Sequence, residues 1–222
     1  MDNTTELLAQ LSGLLTENSI GLERLTPRPR GGRLSGDPQQ QVELVLDSLE
    51  NAQVSKTSLI YGNGCFAVGR YAEAADVYRL IAANRTDSPV AGFNLGLSYL
   101  RLRKAQEATL EFTQVIAQDP TLAEAYYQRG NAFDDLGEQD QALADYSQAI
   151  DVNEDYLQAY YNRGIALARL GRHTEAVTDF DRVIELGPTV SNAYLNRGAS
   201  LDELGEHERA ISDYTAALAC NP

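Results

Sequence analysis

From residue 55 onward the apolar and polar positions of the chain recur every 34 residues. Glycine stands at 62, 96, 130, 164 and 198, and alanine at 74, 108, 142, 176 and 210. Four positions after each alanine comes a ring, at Tyr78, Phe112, Tyr146, Phe180 and Tyr214. Three columns in one register define five repeats, 55–88, 89–122, 123–156, 157–190 and 191–222, the last short by two positions. Helical spacing of the apolar residues makes each repeat a pair of helices. In the third repeat they are predicted over 123–136 and 139–152. Gly137 supplies the turn between them, as do Gly69, Gly171 and Gly205 in other copies. Asp119-Pro120, Gly187-Pro188 and Asn221-Pro222 close second helices. Gly130 and Ala142 are small, so the paired backbones can approach, with Tyr126, Phe133, Leu136 and Tyr146 filling the space around them. So short a pair cannot bury its own apolar face, and stacking on neighbours must supply the core.

The residues ahead of the array follow another pattern. Residues 1–21 hold an amphipathic helix with an Asn3–Glu6 capping box and a stripe of Leu7, Leu8, Leu11, Leu14 and Leu15. Packing back on the array, pairing with another chain and recruiting a partner are all roles such a helix can take. Residues 22–37 form a basic linker rich in proline and glycine, with Arg24, Arg28, Arg30 and Arg33, a composition expected to be flexible. The segment 38–54 reads as a capping helix opened by Asp37-Pro38, with Val42, Val45, Leu46 and Leu49 on one stripe, covering the first repeat.

Composition narrows the chemistry. The formal charge of −14 argues against a phosphate-backbone partner, so no nucleic acid is expected. No apolar run is long enough to span a bilayer and the start lacks a basic leader, so no membrane insertion and a cytoplasmic location are expected. Cys65 and Cys220 form neither a disulfide framework nor a metal spacing. His173 and His207 share one repeat position with no nucleophile or carboxylate recurring beside them, which points to packing. No catalytic residues, metal or cofactor are expected.

The 34-residue unit, with its glycine, alanine and aromatic columns closing on Asp-Pro, resembles the tetratricopeptide repeat. The third copy, AEAYYQRGNAFDDLGEQDQALADYSQAIDVNED, matches that pattern nearly throughout. Its Tyr-Asn-Arg-Gly style is similar to bacterial members. Tyr126, Tyr160 and Tyr194 stand where the family commonly has Trp, Ser58 and Gly92 stand there in the first two copies, and Thr86 replaces a closing proline. The resemblance implies an all-α fold: a right-handed α-solenoid of five helix-turn-helix repeats with an N-terminal helical extension. It also implies a concave groove lined by first helices, where a protein or peptide partner binds.

At the sixth position of repeats two to five stand Asn94, Gln128, Asn162 and Asn196, a carboxamide ladder able to pair with a peptide's C=O and N–H groups. Asn63 and Asn131 widen it, and Phe93, Tyr127 and Tyr161 offer apolar contact. The same carboxamides could instead bond neighbouring helices. Residues 123–222 hold seven basic and eighteen acidic residues, a net −11, with Glu124, Asp134, Asp135, Asp202 and Glu203 near the groove. The expected partner is therefore a basic, extended segment, and the chain an adaptor, scaffold or chaperone-like assembly factor. Repeats three to five hold no Lys, so the carboxylate clamp of the family's co-chaperones is not carried over. Arg129, Arg163 and Arg197 recur at the seventh position and are expected in inter-repeat salt bridges or stacked on Tyr. The alternative is a structural scaffold that self-assembles, as a homodimer or larger, through its N-terminal helix or open ends, where Ile211 and Leu218 are expected to be exposed.

Overall fold

A computed structural model describes residues 3–17, 38–51, 58–84 and 89–220, all of whose regular elements are helices. In order they are α1 (Asn3–Glu17), α2 (Pro38–Asn51), α3 (Leu59–Ala67), α4 (Tyr71–Asn84), α5 (Pro89–Arg101) and α6 (Ala105–Gln118). These are followed by α7 (Ala123–Asp135), α8 (Gln139–Val152), α9 (Leu157–Arg169), α10 (His173–Leu186), α11 (Ser191–Glu203) and α12 (His207–Cys220). The linker over 22–37, the Asp37 cap, Thr86 and the Asn221-Pro222 ending lie outside the described residues. The chain divides into two compact units, 1–118 and 119–222.

In the first unit α1 and α2 pack on one another and both rest on α3, after which each helix packs on the next through α6. Leu11, Val42, Leu46 and Leu49 lose essentially all contact with water there. The spacing of Val42, Leu46 and Leu49 is that of Ala74, Tyr78 and Ile81 in α4, so α2 presents the same buried stripe as a second helix of a repeat. Gly64 makes room for it: a Cβ at that position would meet Leu11 and Leu46 side-chain carbons at 3.1 Å. Of the roles open to α1, the structure gives it packing within its own chain.

In the second unit each second helix packs on its own first helix, and α8 and α10 pack also on the first helix of the next repeat. Leu143 of α8 joins Ala166 and Leu167 of α9. Ala149 and Ile150 meet Ala159, and Val177 of α10 meets Leu201 of α11. Burying faces of this size at about 25 cal/mol per Å² supplies the cohesion that no single hairpin has. Ile211 and Leu218 in α12 are 64% and 74% exposed.

The recurring glycine has a more specific cause than close backbones. A Cβ at Gly130 would lie 2.8 Å from Tyr146 Cε1, and the same ring clash recurs at Gly62, Gly96, Gly164 and Gly198. The aromatic column therefore lies directly over the glycine column. At the helix turns Gly69, Gly137, Gly171 and Gly205 take φ values of 73 to 82°, the left-handed region where glycine carries no Cβ penalty. In the second repeat that place belongs to Arg103, which is held at φ 59°.

Candidate functional site

The predicted ladder sits on the first helices, and its hydrogen bonds can be followed group by group. Among the described residues, Asn63 Oδ1 in the first unit accepts from Tyr78 OH at 2.7 Å and from Asn94 Nδ2 at 3.2 Å. In the second unit Asn131 Oδ1 repeats this, accepting from Tyr146 OH at 3.0 Å and Asn162 Nδ2 at 2.8 Å. Burial pushes the Tyr78 and Tyr146 phenols upward, so both keep their protons and serve as donors. The ninth-position asparagine thus ties its own second helix to the first helix of the next repeat.

The rungs differ in what they have left. Asn162 uses both N–H groups, on Asn131 Oδ1 and on Tyr127 OH at 3.1 Å. Asn94 is 2% exposed, and its buried Oδ1 has no hydrogen-bond partner. Leu59 stands one repeat before it, where the second unit has Tyr127 and Tyr161, so no phenol is present at that place. Gln128 accepts from Asn131 Nδ2 at 3.2 Å. Asn196 donates to Tyr161 OH at 3.1 Å, but Ile165 occupies the place of Asn131, which leaves the second N–H and the Oδ1 of Asn196 without a protein partner. Beside it Leu195 is 43% exposed, and Tyr161 is half-buried with its ring edge on Phe180. Tyr127 packs against Tyr146 and Tyr156, and Phe93 in the first unit packs edge-on against Phe112.

The seventh-position arginines close each hairpin of the second unit, which makes their chief bond one within the repeat. Arg129 Nε and Nη2 donate to both oxygens of Asp145 at 2.7 Å. Arg163 holds Asp179 in the same bidentate way, and Arg197 holds Asp213. A third bond reaches the preceding repeat, from Arg163 Nη1 to Ser147 Oγ at 3.0 Å and from Arg197 Nη1 to Asp181 at 2.6 Å. Each guanidinium also lies over a tyrosine ring, Tyr126, Tyr160 or Tyr194. Asp145, Asp179 and Asp213 are buried. Burial pushes the Asp179 carboxyl upward while the Arg163 guanidinium pulls it down, and the carboxylate bonds hold Arg197 firmly charged. Sequence reasoning named the arginines and missed the aspartates, although their constant 16-residue separation in three copies is a legible signal.

The acidic candidates separate as well. Asp134 accepts from Arg169 Nη1 at 2.9 and 3.0 Å and from Gln139. Asp202 is bonded to His207 Nδ1 at 2.5 Å. Asp135 and Glu203 are exposed, and Glu124 lies half-buried in the first turn of α7. His173, one repeat before His207, has Ala168 in the place of Asp202, and its buried Nδ1 has no partner. The described residues contain no group of three or more His, Cys, Asp or Glu side chains placed to hold a metal ion, and no described helix is long and apolar enough to cross a membrane.

Residues 127–191 and 176–222 match the family model described as tetratricopeptide repeat. Among solved structures, the chain is similar to MamA at 24% identity, covering 72% of this chain and 93% of that one with a TM-score of 0.69. It is also similar to YrrB, a tetratricopeptide repeat protein with an unusual peptide-binding site, at 22% identity, 79% and 91% coverage and a TM-score of 0.64. MamA 41-end from Desulfovibrio magneticus RS-1 aligns at 16% identity over 84% of this chain and 97% of its own, with a TM-score of 0.66. At these identities the likeness is one of fold. No curated protein matches the chain.

Proposed function

We propose that the chain is a non-enzymatic adaptor or assembly factor of tetratricopeptide repeat type, a reading supported by the family model that matches residues 127–191 and 176–222 and by the fold it shares with MamA and YrrB. Its partner is a basic, extended protein segment held along the first helices of repeats three to five, in the cytoplasm and with no cofactor. The observation that carries this reading is Asn196. It alone among the second unit's position-six asparagines has both a donor and an acceptor to spare, and it stands between an exposed Leu195 and the exposed Glu203 of the same helix. A peptide group can meet the carboxamide with its C=O and N–H while flanking side chains reach the apolar and acidic neighbours. The net charge of −11 over 123–222 favours a cationic segment and speeds its approach. That YrrB, similar in fold, has a peptide-binding site favours a peptide partner on this fold.

A random-sequence peptide library panned on the full chain tests the reading. Lys- and Arg-rich extended sequences are the expected harvest, with affinity falling steeply as salt rises and lost in Asn196→Ala. Recovery of acidic or uncharged peptides, or an affinity indifferent to salt, overturns it.

A further inference from the structure

Among the described residues every arginine and lysine but three forms an ion pair with a carboxylate. The three are Arg101, Arg103 and Lys104, all exposed and all on the turn between α5 and α6. The equivalent turns show why each lacks a partner. Arg169, which shares the repeat position of Arg101, reaches back to Asp134 at 2.9 Å, but for Arg101 the place of that aspartate belongs to the buried ring of Phe66. Arg70 and Arg172, which share the position of Lys104, pair with Asp47 and Glu175. Lys104 instead sets Nζ 6.0 Å from the centre of the Tyr99 ring, and Glu107, the carboxylate nearest to it in sequence, stays half-buried and pairs with none of the three. Arg103 stands where the other four copies have a left-handed glycine, and holds φ at 59°. A left-handed backbone at a residue with a Cβ weakens the turn, and so do three like charges side by side. Neither is offset by an ion pair, and backbone strain of this kind collects where a ligand is held.

We propose that the α5–α6 turn is a docking site for an acidic segment of a protein partner, a short run of Asp and Glu. Arg101 and Arg103 each present a guanidinium fork that a carboxylate fills with two parallel hydrogen bonds. Lys104 adds a compact charge over the Tyr99 ring, which Arg79 also covers while donating to its hydroxyl at 3.0 Å. Charge selects a short acidic segment over other anions. A chain of formal charge −14 repels a long polyphosphate or an anionic bilayer everywhere beyond this turn, whereas a few carboxylates need only these three cations. Arg103 then has a reason to stand in a glycine's place, since glycine would ease the backbone and remove the central charge of the three. The site belongs to the first unit and does not rest on the reading of Asn196.

Fluorescence anisotropy of a labelled oligoglutamate peptide titrated with the full chain is the test. Saturable binding is expected at about 50 mM salt, weakening as salt rises to about 300 mM. Arg103→Gly separates a binding role from a structural one: affinity is expected to fall about three-fold while the urea midpoint rises, and unchanged affinity overturns the proposal. Arg101→Gln combined with Lys104→Gln is expected to weaken the peptide about ten-fold, with unchanged circular dichroism. Arg169→Gln combined with Arg172→Gln makes the same change in net charge at positions already paired, and is expected to leave affinity within about two-fold. Equal loss in the two double variants, or no binding by the wild type, refutes the site. Preference for an oligothymidylate over oligoglutamate overturns the choice of partner.

Discussion

Replacing Arg163 by Ala asks whether the hairpins of the second unit are held by charge. Asp179 keeps 5% of its side chain exposed and Arg163 keeps 22%, so this is a mostly buried pair with little solvent screening. Removing the arginine leaves a buried carboxylate without its two charge-assisted bonds, Ser147 without the Nη1 bond, and Tyr160 without its cation. Breaking a buried pair from one side costs about 3–5 kcal/mol, and the partial exposure of Arg163 places the loss near about 3. With a urea slope of about 1.5 kcal/mol per M, the unfolding midpoint falls by about 2 M. The pH dependence follows from Asp179. Its folded pKa already lies above the ordinary carboxylate value because of burial, and only Arg163 opposes that shift. A raised carboxyl pKa contributes stability below the unfolded pKa and loses it as pH rises through the folded one. Without Arg163 the rise is larger, so the variant's deficit is greatest at neutral pH and smaller at a mildly acidic pH, where Asp179 takes a proton. Replacing both residues by Leu recovers most of the loss, since no charge is left stranded. Urea titrations at both pH values measure all of this. A midpoint within about 0.3 M of wild type, or a deficit equal at both pH values, would refute the reasoning.

Three further outcomes are expected. Gly130→Ala drives a methyl group into the Tyr146 ring, whose hydroxyl holds Asn131; the overpacking outweighs the helix-propensity gain, for a net loss of about 1–2 kcal/mol in denaturant unfolding. Arg103→Gly relieves a left-handed residue and makes its turn like the other four, raising stability by about 0.5–1 kcal/mol, and a lowered midpoint would show that Arg103 is held by contacts instead. Asn162→Ala removes two inter-repeat bonds and costs about 1–2 kcal/mol of stability, whereas Asn196→Ala removes one, costs less and takes peptide affinity with it. Calorimetry alongside peptide titration separates the two, and equal affinity loss in both would count against Asn196 as the reading rung.

The repeat register, the helix pairs and the turn glycines were legible because each depends on residues within one copy. The division of labour among the asparagines was not, because it depends on residues one copy away. Asn162 and Asn196 stand at the same repeat position, yet one follows Asn131 and the other follows Ile165, and that exchange decides whether an N–H is spent on the fold or left for a ligand. Asn94 makes the same point from the other side: with Leu59 where the second unit has tyrosine, no phenol oxygen stands there to accept its N–H, and its own carbonyl oxygen is buried without a donor. A ladder of identical side chains is therefore not a ladder of identical functions. The arginines follow the same logic, since Arg163 and Arg197 have equivalent aspartates but meet Ser147 and Asp181 in the preceding repeat. In a stacked array the unit that determines a residue's chemistry is the junction between two repeats. Hydrogen-bond accounting across that junction, more than resemblance along a column, identifies the groups with capacity left for a partner.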